Sequence, residues 1–548
     1  MKVYEALARA FAAEGAKAVF GMMGDANMYW MNELHRLGVP LFDVRHEGAA
    51  LAMADGWART SGEPGVCTTT SGPGVAQLAT TMLVASRART PLVAFCGESS
   101  TTDPEAVQRL DQERFAAAVE CGFLRVRTPD DADDVVRQAF YTARLESRPV
   151  MISAPMDVQQ QTVDDDEYTP STALLTVDPV YPNPATIQKA ADIVAGSRRP
   201  VIIVGRGAMR SGAGPAVLEL AENIGALVAT TLMAKTWLSE DRFHVGISGL
   251  YATKTAMELF SEADCVIAVG AGLNKYTTEH GYLYPNATFV QFDTKPHVVM
   301  GGGRSADLYV HSDARIGVEQ LHRTLVERGF RQQGCRVPAV KERLATAFED
   351  PQEYPVDEGT VDPRDVCRVL DEAIPGDVGL VIGGGQNICF STILMTRQRS
   401  MLLANQHFGC IGQGLTTAMG AVVATGNRPA FLMEGDAGLM MHLPEFETAV
   451  RYGIPLLVVV MNDQVLGAEY HKSIVKGLNA DLARVSTPDL GEVGRALGGR
   501  GHLVTDLDGL HAAAAEFVAN PAPTMIDVRI STNVISIPYR RLHFGQDA

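Results

Sequence analysis

The sequence predicts an α/β protein built of three doubly wound parallel sheets, and three observations carry that expectation. Short apolar runs alternate with longer amphipathic stretches, the pattern of strands joined by crossover helices. Many of these runs stop at glycine-rich turns, as at Gly205-Arg206-Gly207, Gly270-Ala271-Gly272 and Gly383-Gly384-Gly385. Two polar, proline-bearing segments cut the alternation into three parts, and 548 residues exceed what one core holds. The expected domains are residues 1–165, 185–335 and 355–548.

Composition narrows the class. The chain has 47 basic and 64 acidic residues, a net charge of −17 and no basic run. That balance argues against nucleic acid or an anionic membrane as partner. The eight cysteines, at 67, 96, 121, 265, 335, 367, 389 and 410, form no CxxC pair, so neither a zinc site nor a disulfide framework is expected. The opening stretch is an amphipathic helix pattern interrupted by Glu5, Arg9 and Glu14, not a leader. No apolar run is long enough to span a bilayer. A cytoplasmic location is the expectation.

In the first domain, strands are expected at residues 18–20, 41–44, 65–68 and 91–96, with helices at 49–60 and 75–87. Ser71-Gly72-Pro73-Gly74 either turns the chain tightly or brings backbone N–H groups to a ligand. Glu47, in Arg45-His46-Glu47-Gly48, falls at a strand-to-helix junction. A carboxylate there either favours the positive end of the helix or projects, partly buried, into a crevice. It does not open a zinc HExxH motif, because Ala50 stands where the second His belongs. From Asp164-Asp165-Asp166-Glu167 a polar linker runs to Pro184. The central domain reads as Rossmann-like, with strands at 200–204 and 265–269 entering glycine turns. It lacks a complete GxGxxG with a following acid, so a structural spacer fits better than a nucleotide site. A second, acidic linker lies near residues 348–362.

The third domain holds the densest constellation. A strand beginning at Phe431 stops at Gly435-Asp436-Ala437-Gly438, a Pro444-led helix follows, and a strand at 456–461 stops at Asn462-Asp463. Ligands of parallel sheets collect beyond the carboxyl ends of strands, so Asp436 and Asp463 should face one crevice. Two carboxylates suit a hard cation, Mg²⁺ or Ca²⁺, which takes oxygen ligands. Gly435, Ala437 and Gly438 leave room for a diphosphate, and Gln386 and Asn387, after a strand at 378–382, add amide donors. Asp436 as a plain helix cap is the alternative. A loop at 405–414 leads into a small-residue helix at 415–424.

These motifs together resemble the signature of thiamine-diphosphate enzymes over nearly the whole chain. The nearest likeness is to acetohydroxyacid (acetolactate) synthase and its decarboxylase and carboligase relatives. Gly435-Asp436-Ala437-Gly438 with Asn462-Asp463 is similar to GDG…NN, and RHEGAALAMADGWAR to the catalytic-glutamate segment. TTTSGPG is similar to the first glycine loop, and Gly385-Gln386-Asn387 to the diphosphate strand end. The resemblance implies thiamine diphosphate and Mg²⁺ as cofactors. It implies cleavage or formation of the C–C bond beside a carbonyl, on a 2-oxo acid and an aldehyde or ketone acceptor. Pyrimidine binding falls to residues 1–165 and diphosphate and Mg²⁺ binding to 355–548.

Residue by residue, the resemblance implies that Glu47 protonates the pyrimidine N1′, Gly409 offers its carbonyl to the 4′-amino group, and Ile411 imposes the cofactor's bend. Asp436 and Asp463 hold Mg²⁺ with the Val465 carbonyl, Ala437 and Gly438 border the diphosphate, and Gln112 approaches the reactive centre. Glu469 matches a proton-relay glutamate of the decarboxylases and lies, with the further catalytic candidate His471 and with His442 and His407, on loops near the crevice. In this family each site takes its two halves from different chains, which implies a homodimer or homotetramer.

Departures from the pattern are specific. Ala437 replaces the second glycine of GDG and Asp463 the second Asn of NN, with Asn462 as the fallback ligand. Residues 99–114 hold no His and residues 463–475 no Trp, so the decarboxylases' histidine pair and the synthases' loop Trp are both missing. Asn274 and Lys275 stand where the synthases carry an Arg of their flavin set. The alternatives are a flavin-containing oxidase or synthase on the same scaffold, which leaves FAD open, and a non-catalytic cofactor-binding relative. The intact Glu47 speaks against the latter.

Overall fold

A computed structural model of the chain describes residues 1–164, 167–174, 178–296 and 305–545. Asp165 and Asp166 of the first expected linker lie outside the described residues, as do residues 546–548. Three parallel sheets of six strands each make up the protein. The first contains β1 (Val19–Gly21), β2 (Leu41–Asp43), β3 (Gly65–Thr69), β4 (Leu92–Glu98), β5 (Gly122–Arg125) and β6 (Pro149–Pro155). Its spatial order is β2-β1-β3-β4-β6-β5.

The central sheet contains β7 (Pro200–Val204), β8 (Leu227–Thr230), β9 (His244–Ile247), β10 (Cys265–Val269), β11 (Thr288–Asp293) and β12 (Leu308–His311). Its order, β9-β8-β7-β10-β11-β12 read from one edge, is that of a dinucleotide-binding fold. The last sheet contains β13 (Gly379–Ile382), β14 (Leu402–Ala404), β15 (Ala430–Gly435), β16 (Leu456–Asn462), β17 (Arg500–Val504) and β18 (Thr524–Arg529). Its order, β14-β13-β15-β16-β18-β17, repeats that of the first sheet. Helices cover both faces, which is why β7 and β10 are apolar runs buried along their whole length, and β16 is another up to its buried last residue, Asn462.

The first and last sheets share one core. The helix Glu47–Ser61 packs against the helix Gly414–Ala424, and their residues Met53, Trp57, Leu415 and Met419 belong to a single apolar cluster. Glycine permits the approach: a Cβ on Gly56 would stand 2.0 Å from the Thr417 carbonyl oxygen, and one on Gly420 1.9 Å from that of Met53. Polar contacts border the seam. The Arg45 backbone N–H donates to Glu445 at 2.9 Å, the Asp43 N–H to the Tyr452 hydroxyl at 2.7 Å, and Arg59 to Asn405 at 2.9 Å.

The helix expected at 75–87 is two, Pro73–Ala76 and Ala79–Ala88, because the chain turns at Gln77 and Leu78. The linkers are anchored where they are described. Tyr168 and Ser171 donate to the buried Glu14, and Asp350 pairs with Arg540 at 2.8 Å. All eight cysteines are unpaired. Among the described residues no helix is long and apolar enough to cross a membrane.

Candidate functional site

In the last sheet the strand order reverses between β13 and β15, so the turns that follow them enclose a crevice at the carboxyl ends. Asp436 follows β15 and opens the helix Asp436–Met441. It is 1% exposed, and its Oδ2 is buried without a partner. Burial, with a smaller push from Asp527, raises its carboxyl to about 6. Asp463 follows β16 directly. Burial first and Asp436 second raise it to about 7, against the stabilising Asn387 side chain and Val465 N–H.

The amides of the β13 turn complete this cradle. A Cβ on Gly467 would stand 3.2 Å from Asp463 Oδ2, 3.2 Å from Gln386 Oε1 and 3.6 Å from Asn387 Oδ1. Gln386 Nε2 is buried without a partner, while Asn387 Nδ2 donates to the Met461 carbonyl at 3.2 Å. Two buried carboxylates side by side repel one another, and a divalent cation between them offsets both the repulsion and the lost hydration. The unpartnered Asp436 oxygen fits that role. Asn462, the fallback ligand, is committed elsewhere, since its side chain donates to Asp527 at 2.8 Å and Thr487 at 3.0 Å.

Above the cradle, Gly409 takes a left-handed φ of +70°, and Ile411 lies against the β13 turn, its Cγ2 3.3 Å from where a Cβ on Gly384 would be. Ala437 and Gly438 form the first turn of the Asp436–Met441 helix. Beneath lies Glu434, wholly buried, which the sequence reading missed. Cβ atoms on Gly383, Gly414 and Gly438 would all fall within 2.7 Å of its carboxyl oxygens, so three glycine turns close on one acid. It accepts from the N–H groups of Gly384 at 3.3 Å and Gly435 at 3.2 Å, and burial raises it to about 7. Its only signal was an acid inside the apolar run Phe431-Leu432-Met433-Glu434.

Glu47 opens its helix half-buried beside the first glycine loop, its Oε1 3.1 Å from where a Cβ on Gly74 would be. That loop is held by Ser71, which donates to Gln108 at 2.7 Å. Gln112 is buried, donates to the Gly97 carbonyl at 2.8 Å, and keeps Oε1 buried and unpartnered. It lines a cavity of about 600 Å³ beyond β4 together with Arg125 and Arg127. The imidazoles of His46 and His442 meet edge to face at 5.5 Å, and His442 Nδ1 hydrogen-bonds the Gly412 carbonyl at 2.7 Å.

The expectation that Glu469 and His471 lie on a loop is corrected. Both belong to the helix Gly467–Val475, in which Ala468, Glu469 and Lys472 are good helix formers. Glu469 is exposed and pairs with Lys472 at 2.9 Å. His471 is 3% exposed, packs edge to face on Tyr470 and Phe544, and burial lowers it to about 4. His442 caps the Asp436–Met441 helix, and His407 sits in a 3₁₀ turn. In the central domain the glycine turns serve each other: a Cβ on Gly205 would meet the Gly270 carbonyl oxygen at 2.2 Å.

Comparison with known proteins agrees with this geometry. Three thiamine pyrophosphate enzyme models match the chain: the N-terminal TPP binding domain over residues 1–115, the central domain over 187–321 and the C-terminal TPP binding domain over 383–528. The acetolactate synthase large subunit of Parasynechococcus marenigrum is 30% identical over 541 residues, 96% of this chain and 87% of that protein. A probable acetolactate synthase large subunit of Methanocaldococcus jannaschii is 28% identical, over 97% of this chain and 92% of that protein. The sulfoacetaldehyde acetyltransferase of Castellaniella defragrans is 28% identical, over 98% and 94% respectively. The chain therefore belongs to the thiamine pyrophosphate enzyme family. Within that family it is an enzyme of the acetolactate synthase type.

Proposed function

We propose that this enzyme uses thiamine diphosphate and Mg²⁺ to cleave or form the C–C bond beside a carbonyl. Its donor is a 2-oxo acid that loses CO₂, and its acceptor is a proton or an aldehyde or ketone. The observation that carries this reading is the buried pair Asp436 and Asp463, with one oxygen of the first unpartnered. These two would hold Mg²⁺, with the Val465 carbonyl as a third ligand, while Gln386, Asn387, Ala437 and Gly438 would border the diphosphate. Glu47 would hold a proton at the pyrimidine ring, and the Gly409 carbonyl and Ile411 would orient that ring. When bound, the cofactor supplies the electron sink that lets CO₂ leave. Gln112 would approach the reactive centre, where its free Oε1 can accept a hydrogen bond from a hydroxyl. Glu469 would move a proton, and the neutral His471 would hold its helix in place. The names of the relatives, a synthase of acetolactate and an acetyltransferase, favour transfer of an acyl group over simple release.

We further propose a homodimer or homotetramer in which Glu47 comes from one chain and the metal residues from another. Within residues 100–111 all but Ser100, Ala106 and Leu110 are exposed, and Val107 is the extreme, at 101%. A second copy covering this segment would enclose Gln112. The unpaired cysteines suit the reducing cytoplasm.

Calorimetry with thiamine diphosphate and Mg²⁺, followed by turnover of a panel of 2-oxo acids with and without aldehydes, tests the reading. Tight binding that depends on both cofactors, release of CO₂ and loss of activity in Glu47→Gln are expected. No cofactor binding and no turnover would overturn it, and full activity in Glu47→Gln would remove Glu47 from the mechanism.

A further inference from the structure

A second cavity, partly open to solvent, lies between the central and last domains, away from the strand-end crevice. It has a volume of about 140 Å³ and runs from the end of β8 and start of β9 to the carboxyl end of the helix Ile388–Leu394. Its walls include Lys235, Thr236, His244, Tyr251, Thr392 and Thr396, and no Asp or Glu lines it.

Lys235 is 5% exposed. Its ammonium donates to the Met395 carbonyl, and among the described residues no carboxylate pairs with it. The plain reading is a cap on the carbonyl end of that helix, where a cation is favourable. A cap uses one of three N–H bonds, and the attraction of Asp371, a carboxylate already paired with Arg399 at 2.7 Å, offsets the burial only in part; a buried ion so weakly compensated costs several kcal/mol. Burial, opposed by Asp371, lowers Lys235 to about 8.

His244 adds a second, independent deficit. Its Nδ1 accepts from the Gly246 N–H at 3.2 Å, which places the ring hydrogen on Nε2. Nε2 is buried and has no partner. The hydroxyl of Thr392 is spent on the Ile388 carbonyl at 2.8 Å. The cavity therefore presents a surplus of N–H donors and a cationic side chain that no carboxylate of its lining balances. Its 140 Å³ is several times the roughly 30 Å³ that a water occupies, yet well short of the roughly 300 Å³ at which drug-sized pockets begin. A nucleotide or flavin does not fit it.

We propose that this cavity is a small-anion site, which takes a phosphate-sized oxyanion or a short carboxylate between Lys235 Nζ and His244 Nε2. An anion there would tie the edge of the central sheet to the helix that follows Gln386 and Asn387. Occupancy would thus tighten the seam behind the cofactor cradle without touching it. The assignment stands whether or not the proposed catalytic reading holds.

The test is titration of the full chain with inorganic phosphate and, separately, with acetate at constant ionic strength, followed by calorimetry and thermal melting. His244→Asn keeps an acceptor for the Gly246 N–H and removes the Nε2 donor; Lys235→Met keeps the length and removes the charge. Saturable binding by the wild type that raises Tm is expected, weakened about tenfold or more in His244→Asn. Lys235→Met is expected to weaken it further. Binding of phosphate alone identifies an inorganic oxyanion as the ligand, and binding of acetate identifies a short carboxylate. Equal affinity in His244→Asn and wild type would place any binding elsewhere and overturn the proposal. Absence of saturable binding by both probes would overturn it too, leaving Lys235 a helix cap. Should Lys235→Met fail to fold, the His244→Asn comparison decides alone.

Discussion

Replacing Gly56 by alanine adds a single methyl group where two helices from opposite ends of the chain touch. The new Cβ would stand 2.0 Å from the Thr417 carbonyl oxygen and 2.8 Å from its carbon. Ordinary contact begins at 3.4 Å, so the helices must part by 1.4 Å. Both neighbours are backbone atoms, and no rotamer can absorb the overlap. The surroundings leave no slack either, with Met53, Ala418 and Met419 all at 0% exposure. Overpacking of a filled core costs about 1–3 kcal/mol, and this site belongs at the upper end, about 3 kcal/mol. Urea unfolding of the cofactor-free protein, followed by circular dichroism, measures the loss. Gly196→Ala is the control, because nothing lies within 4 Å of a Cβ there. It should stay within about 0.5 kcal/mol of the wild type. Equal midpoints for Gly56→Ala, Gly196→Ala and wild type would refute the interlocked seam.

Three further outcomes follow from the site. Mixing inactive Glu47→Gln with inactive Asp436→Asn after subunit exchange should restore about a quarter of wild-type activity if each site draws on two chains. A site within one chain would give none. Gly467→Ala puts a methyl 3.2 Å from both Asp463 Oδ2 and Gln386 Oε1, so calorimetry should show cofactor affinity down about tenfold with folding intact. Unchanged affinity would remove Gly467 from the cradle. Glu434, raised by burial from 4.5 to about 7, is a group whose contribution is fully present below pH 4.5 and is lost as pH rises through 7. Metal-free wild type should therefore lose on the order of 3 kcal/mol relative to Glu434→Gln between pH 4.5 and 8. Parallel pH profiles for the two proteins would contradict this.

What could be read from the sequence was whatever has a short range. Strands expected at 200–204 and 265–269 appear as β7 and β10 with those same limits, because buried parallel strands are uninterrupted apolar runs. The crevice at Asp436 and Asp463 followed from strand-end glycines and acids. Side-chain direction at its rim did not. β16 extends one residue further than expected, through Asn462, and successive residues of a strand face opposite sides. That single step sends Asn462 to Asp527 and leaves Asp463 with Gln386 and Asn387. Glu434 was invisible for another reason, since the three turns that enclose it come from positions 383, 414 and 438. The shared strand order of the first and last sheets is likewise a property of pairing, on which one strand's composition is silent.

The common core of the first and last sheets also sets the order in which this chain can be made. Synthesis begins at the end that carries Leu51, Met53 and Trp57, yet their covering residues Leu415, Ala418 and Met419 emerge only after more than half the chain has followed. Until then the nascent first domain shows an uncovered apolar helix, the kind of surface that collects in aggregates or on chaperones. Closing a contact between such distant segments is slow. The central domain, whose core is drawn from residues 187–347, including Leu344 and Ala347 of the following segment, can settle in the meantime. A ribosome releasing this protein thus hands over a chain finished in the middle and still open at both ends.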